Sequence, residues 1–178
     1  MPILKCTKKL VKALGKNTEK LFSVNPHSKD TSILGAWTAH LVIFARMRFV
    51  LFMNDETLLT IFIHLVPKEN LIERFQQALF KELLRLEIPA DSASEETFRL
   101  KFSLEENTGR SMRSYLNQIA FIYKYLLAAH IEEHGTFDPE AAQMIANETP
   151  HVKREHDFPE YYVRELFGAR HKQNMTVH

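Results

Sequence analysis

Two arginines, Arg110 and Arg113, stand at the start of the helical run GRSMRSYLNQ, accompanied by Ser111, Ser114 and Asn117. The unpaired N–H groups of a helix start already amount to about +0.5 of an elementary charge, so each cation there costs roughly 0.3–1 kcal/mol. A negative group should offset this. It could be Glu105 or Glu106 just upstream, a carboxylate from elsewhere in the fold, or a bound anion held by guanidinium and backbone N–H groups together. At about 100° per residue, Arg110, Ser114 and Asn117 share one side of the helix, and Phe121 and Lys124 continue it. Two readings follow: a solvated helix face with Arg110 paired to Glu105 or Glu106, or a site for an anion or polar ligand.

Other residues suggest thinner chemistry. Asn54 and Asp55 lie in NDE between two apolar runs, which is ordinary hairpin-turn composition before it is a ligand site. Trp37 on an apolar strand packs before it stacks a ligand. Were Asp55 or Ser111 to converge with Arg110, a small hydrolase or transferase would follow, the guanidinium stabilising an oxyanion. HIEEH, His130 to His134, spells an inverted zincin pattern in which Glu133 stands beside the second histidine; a third ligand would have to come from Glu140, Glu148, Glu155, Glu160 or a distant histidine. The alternative is a histidine pair favourable to a helix end. Cys6 sits in an apparent strand as a buried, inert thiol. His40 and His64, on strands, could meet across a sheet. With five glycines in all, neither a P-loop nor a dinucleotide fingerprint is spelled, and no cofactor is expected.

These residues need elements to position them. ILKCT reads as a strand and KKLVKALG as a helix stopped by Gly15. Residues 16–35 have the composition of a surface loop. AWTAHLVIFA, RFVLFMN and TLLTIFIHL, rich in aromatic and β-branched residues, form an antiparallel meander. Both faces of these strands are largely apolar, so the sheet is covered on both sides or they sit centrally in it, with some of the cover coming from helices. PKENLIERFQQALFKELLRLEIP is an amphipathic helix with Pro67 in its first turn and Pro89 at its end. ADSASEE reads as a loop and TFRLKFSLEE as a further strand, with Phe98, Leu100 and Phe102 on one side. From Gly109 to about His134, Met112, Leu116, Ile119, Tyr123 and Leu126 or Leu127 make the stripe of the longest helix. Two short helices follow, with Asp138 and then Asp157 or Phe158 near their starts, and 171–178 reads as a frayed tail.

The fold class expected is therefore α+β: a mainly antiparallel sheet packed with amphipathic helices, all helical toward the C-terminus. A chain of 178 residues with 45% hydrophobic content suits one domain. Lys and Arg number 23 against 22 for Asp and Glu, which argues against a nucleic-acid partner; only a local patch, such as Lys8, Lys9 and Lys12, would serve. The single cysteine suits a reducing cytoplasm. The basic start lacks the apolar core and cleavage site of a signal peptide. Arg46 and Arg48 interrupt the apolar run 41–53 well short of a ~20-residue span, so no membrane association is expected.

Four stretches in this order, LKCTKKLVKALG, GAWTAHLV, RFVLFMNDETLLTIFI and GRSMRSYLNQIAFIYKYL, resemble a family of uncharacterised, mostly bacterial proteins defined only as a domain of unknown function. The resemblance runs to about Leu127. It implies no activity, substrate or cofactor, and sets Trp37, Asn54, Asp55, Arg110, Ser111 and Asn117 within the shared motifs. Arg110, Ser111 and Asn117 match the family's pattern at the helix start, whereas its glycine, second serine and acid are absent here. No set of nucleophile, base and orienter is complete, so the residues favour a non-catalytic module that binds an anionic small molecule or a partner protein around Arg110.

Overall fold

The computed structural model describes residues 3–15, 32–98, 103–105, 110–149 and 158–175, without the side chains of 103–105, 110–111 and 169–175. Most of the segment read as a surface loop, 16–31, lies outside these residues, as do Leu100, Phe102, Glu106, Glu155 and Asp157. Five strands are described: β1 (Ile3–Cys6), β2 (Trp37–Phe44), β3 (Met47–Asn54), β4 (Thr60–His64) and β5 (Ser103–Glu105). Among them run six helices: α1 (Lys8–Leu14), α2 (Leu71–Arg85), α3 (Ala90–Phe98), α4 (Arg110–His134), α5 (Pro139–Asn147) and α6 (Pro159–Met175). The class is α+β, with the C-terminal part helical.

The sheet order is β4-β3-β2-β1-β5. The meander β2-β3-β4 is antiparallel. On its other side β1 runs parallel to both β2 and β5, so the sheet as a whole is mixed. Strand alternation then divides the core in two. One face sends Leu4, Cys6, Trp37, Ala39, Val50, Phe52 and Ile61 against α1, α2, α3 and α6 through Leu10, Leu14, Phe75, Leu79, Leu83, Ala93, Val163 and Phe167. The other sends Val42, Phe49, Leu51, Met53 and Phe62 against Leu116, Ile119, Tyr123 and Leu127 of α4 and Ala142 and Ala146 of α5. Helices on both sides are what the two-faced apolarity of the strands requires.

Three element boundaries differ from the sequence reading. The helix read from Pro67 begins at Leu71, because Arg74 reaches back to the carbonyls of His64, Leu65 and Pro67 and holds that stretch as a turn. It ends before Pro89: Ile88 N–H bonds Leu83 O and Glu87 N–H bonds Leu84 O, with Glu87 at a φ of 62°. This is a Schellman stop with a glutamate where glycine is usual. The stretch ADSASEE is no loop but α3, which includes Thr97 and Phe98, and the described part of the expected strand is 103–105. A tertiary contact accounts for the difference. The buried Glu96 carboxylate accepts hydrogen bonds from Ser32 Oγ and from the N–H groups of Ile33 and Leu34, which outweighs the weak helix propensity of Ser and Asp. Phe98 is the exposed last residue of α3, tilted against Phe80.

The turn after β3 is held by one side chain. Asn54 Nδ2 donates to Leu34 O at 2.7 Å and Ala36 O at 3.1 Å, and its Oδ1 accepts from Glu56 N, Thr57 N and Thr57 Oγ1. Replacing a buried group with this many partners leaves several of them unsatisfied. Asn54→Ala is expected to lower unfolding free energy by roughly 2–4 kcal/mol. Asn54→Asp, despite its closer shape, should cost at least as much, because an acceptor would then face two carbonyls. Denaturant midpoints of the two variants check this order.

Candidate functional site

The residues singled out in the sequence fall into three places. Trp37 is fully buried and meets Phe75 edge-on at 5.1 Å. Its indole N–H has no hydrogen-bond partner, and the residue belongs to the apolar cluster on that face of the sheet. It is a core residue. Asn54 is the turn clamp described above. Asp55 receives Lys5 Nζ at 2.9 Å and Thr38 Oγ1 at 2.6 Å, and its N–H bonds Ala36 O. Its carboxylate therefore ties β1, β2 and the β3–β4 turn together.

The third place is α4. Arg110 and Ser111 form its first turn, their side chains lying outside the described residues. Arg113, Ser114 and Asn117 are exposed on the side away from the sheet. Phe121 and Tyr125, 71% and 67% exposed, continue that side with Lys124. The opposite stripe, Leu116, Ile119, Tyr123 and Leu127, is buried, as the period required. At the far end, His130 Nδ1 lies 3.1 Å from Thr136 O, and His134 Nε2 is 3.7 Å from Glu133. Among the described residues no group of three potential ligands gathers around HIEEH or anywhere else to hold a metal ion. His40 and His64 do not meet: across β3, His40 registers with Leu51 and His64 with Phe49.

A cleft of about 780 Å³ lies between α2, α5 and strand β4, lined by His64, Arg74, Lys81, Glu82, Asp138 and Gln143 among others. It sits at the outer edge of the sheet. Along an antiparallel edge alternate residues turn their N–H and C=O groups outward. Leu65 N–H bonds Arg48 O, toward β3, so Thr60, Phe62 and His64 face out. Asn147 answers Thr60 as a strand would: its Oδ1 accepts from Thr60 N and its Nδ2 donates to Thr60 O. Gln143 Oε1 accepts from Phe62 N, and Arg74 donates to His64 O. The Phe62 carbonyl and His64 amide face the cleft between these partners.

Behind the cleft lies a buried carboxylate. Glu82, 5% exposed, accepts from Arg85, Gln143 Nε2 and Asn147 Nδ2. Burial opposes the charge on Arg85, but its bonds with Glu82 and Glu160 outweigh this and raise its pKa. Arg85 also reaches Glu148, so one guanidinium links α2 to the end of α5 and to α6. The Thr60 hydroxyl donates to Asn147 Oδ1, which leaves Tyr123 O–H to donate to Thr60 Oγ1. Burial chiefly raises the Tyr123 pKa, so the phenol stays neutral. Sequence reading passed over this network. One signal was present: Glu82 falls on the Phe75, Leu79, Leu83 side of α2, and a charge on an apolar stripe must have buried partners.

Residues 3–161 match the model of the family described as domain of unknown function DUF6933. The chain belongs to that family. No curated protein and no solved structure matches it. Membership of DUF6933 names neither ligand nor reaction, so chemistry rests on the side chains. Among the described residues, no helix is long and apolar enough to cross a membrane. Cys6 is fully buried, and burial pushes its thiol up to about 12, which keeps it protonated and unreactive.

His40, buried beside Thr7, is pulled down to about 4 from 6.5, first by burial and then by Lys9 and Lys124. Its folded pKa lies below its unfolded one, so the unfolded chain binds the extra proton between these values. Stability is therefore expected to fall as pH drops from 6.5 toward 4. His40→Gln should flatten the loss in that window, measured by urea midpoints at successive pH. An unchanged slope in the variant would assign the loss to other groups.

Proposed function

We propose that this chain is a non-catalytic recognition domain that binds an anionic partner along the α4 face beginning at Arg110. The observation that carries the reading is the division of α4: an inner stripe spent on the core, and an outer row of Arg113, Ser114, Asn117, Phe121, Lys124 and Tyr125 left exposed. Large aromatics standing free beside cations suit a protein surface, since aromatic residues and arginine dominate the cores of protein contacts. From Arg110 to Ile131 the helix carries no acid, so the complementary surface is acidic. A convex helix face suits a polypeptide better than a small anion, which takes a concave site. A catalytic reading is weaker, because the Asp55 carboxylate is already committed to Lys5 and Thr38.

A fluorescent oligo-glutamate peptide, titrated by anisotropy, probes the face. It is expected to bind, to weaken with added salt, and to lose affinity about tenfold or more with Arg113→Glu, a difference of ~1.4 kcal/mol. Equal binding by wild type and variant would remove this face as the site. Inorganic phosphate in the same titration distinguishes a small-anion site, which it would occupy competitively.

The cleft supports a second reading, a small polar ligand whose amide or carboxyl group meets the Phe62 carbonyl and His64 amide. Its volume of about 780 Å³ falls within the usual range for small-molecule sites. Glycylglycine carries such groups. Titration followed at the His64 amide resonance should shift it, and an unmoved resonance would remove the cleft from consideration.

A further inference from the structure

Side chains close the outer edge of β4 almost as a further strand would. Asn147 takes both backbone groups of Thr60, Gln143 takes the Phe62 N–H, and Arg74 takes the His64 carbonyl. Among the described residues two neighbouring groups are left bare, the Phe62 C=O and the His64 N–H, with a filled position on either side. The gap is one residue long. In a parallel ladder one residue donates its N–H to the carbonyl before its opposite number and accepts from the N–H after it, so a single residue opposite Ile63 satisfies both groups. An antiparallel segment would need two residues, whose remaining N–H and C=O groups would meet positions that Gln143 and Arg74 already fill.

Parallel docking points the carbonyl end of that residue toward His64, where the surroundings are cationic. Arg74, half-buried, spends its Nε on Asn70 Oδ1, one Nη1 hydrogen on His64 O, and its Nη2 on Leu65 O and Pro67 O. A guanidinium has five N–H groups, so one remains on Nη1, the nitrogen beside the His64 carbonyl. Burial lowers the pKa of Arg74, and no carboxylate among the described residues offsets it. Lys81, two turns further along α2, is exposed in the same cleft. Of the acids lining the cleft, Glu82 is bonded to Arg85 and two amides, Asp138 accepts from the first N–H groups of α5, and Glu140 stands exposed on the α5 side. Residues opposite one another in a ladder turn their side chains to the same face, so that of the docked residue falls beside Ile63 and Ala78, which line the cleft and pack on the core under α2. We propose that the gap captures the C-terminal residue of a peptide, an aliphatic residue whose N–H meets the Phe62 carbonyl and whose carboxylate meets the His64 N–H and the Arg74 guanidinium. This rests on reading the cleft as a small-ligand site, and it names the class of ligand. A chain that ends at this point needs no pairing beyond His64, where Arg74 blocks it, and its terminal charge meets the uncompensated cation. Strand-edge pairing and capture of a terminal carboxylate are both general modes of peptide recognition.

Titration followed at the His64 amide resonance tests this with ligands alone. Acetyl-Ala-Ala-Leu with a free carboxylate is expected to shift the resonance saturably and to bind about tenfold or more tightly than the same peptide ending in a carboxamide. It should also bind more tightly than acetyl-Ala-Ala-Gly, which lacks the side chain for Ile63 and Ala78, and than N-acetylleucine, which lacks the preceding residues that lie in the cleft. Arg74→Gln should abolish the preference for acid over amide. Arg74 also holds the turn at 64–67, so the comparison of acid with amide in the wild-type chain decides whatever that variant does. Lys81→Glu, an exposed change, should weaken the acid and leave the amide as it was. Equal binding of acid and amide would overturn capture of a chain end, while the small-ligand reading of the cleft would stand. Equal binding of the leucine and glycine peptides would overturn the aliphatic assignment. Equal binding of N-acetylleucine and the tripeptide would assign the gap to a free acylated amino acid and overturn the peptide. A His64 resonance unmoved by every ligand would end both readings of the cleft.

Discussion

Strand β4 is the edge of the sheet on the meander side, and an edge presents a row of backbone groups that something must satisfy. In this molecule the answer is not another strand but the side-chain amides of a helix. Asn147 and Gln143, one turn apart on α5, bond Thr60 and Phe62, and both amides are oriented by the buried Glu82 carboxylate. An amide can turn either way; an acceptor fixed beneath its NH2 group leaves its oxygen facing the strand. The oxygens of the buried Glu82 carboxylate are shared among Arg85 and the two amides.

The same network determines what the surface presents. Arg85 extends it to Glu148 and Glu160, tying the end of α5 and the start of α6 to α2. Thr60 extends it to Tyr123, whose buried ring also stacks on Phe62 at 4.4 Å. Through that pair α4 is fixed in rotation about its own axis. Its Leu116–Leu127 stripe turns inward, and Asn117, Phe121 and Tyr125 must turn outward. The outer face is thus a consequence of how the edge of the sheet was closed. The cleft is likewise the space left where the closing side chains stop short of the Phe62 carbonyl and His64 amide.

How much of this could be read beforehand depends on whether the signal was local. The meander was readable because aromatic and β-branched residues crowd strands 37–44, 47–54 and 60–64 between short polar turns. The inner face of α4 was readable because Leu116, Ile119, Tyr123 and Leu127 repeat at helical spacing. The helix at 90–98 was not, since its residues Asp, Ser and Glu carry turn composition and its stability comes from Glu96 reaching Ser32, about sixty residues earlier. Parallel pairing of β1 was hidden for a similar reason: a four-residue strand carries no mark of its neighbour's direction. Of the candidate site residues, Trp37, Asn54 and Asp55 proved to be joints of the scaffold, where a turn or core explanation had been available from composition. The exposure of Arg113, Ser114 and Asn117 followed from the helical period. Gln143 and Asn147 could not have been singled out, because two amides on a short helix acquire meaning only beside the strand edge that they close.

One buried carboxylate, Glu82, organises the closure of the β4 edge. Amide hydrogen exchange in Glu82→Ala, compared with wild type under conditions where both remain folded, tests it most directly. The expected result is a marked loss of protection at the Thr60 and Phe62 amides, with the amides shared between β2 and β3 still protected as in the wild type. Unchanged protection at Thr60 and Phe62 would contradict the account, and so would a loss spread evenly over all strands.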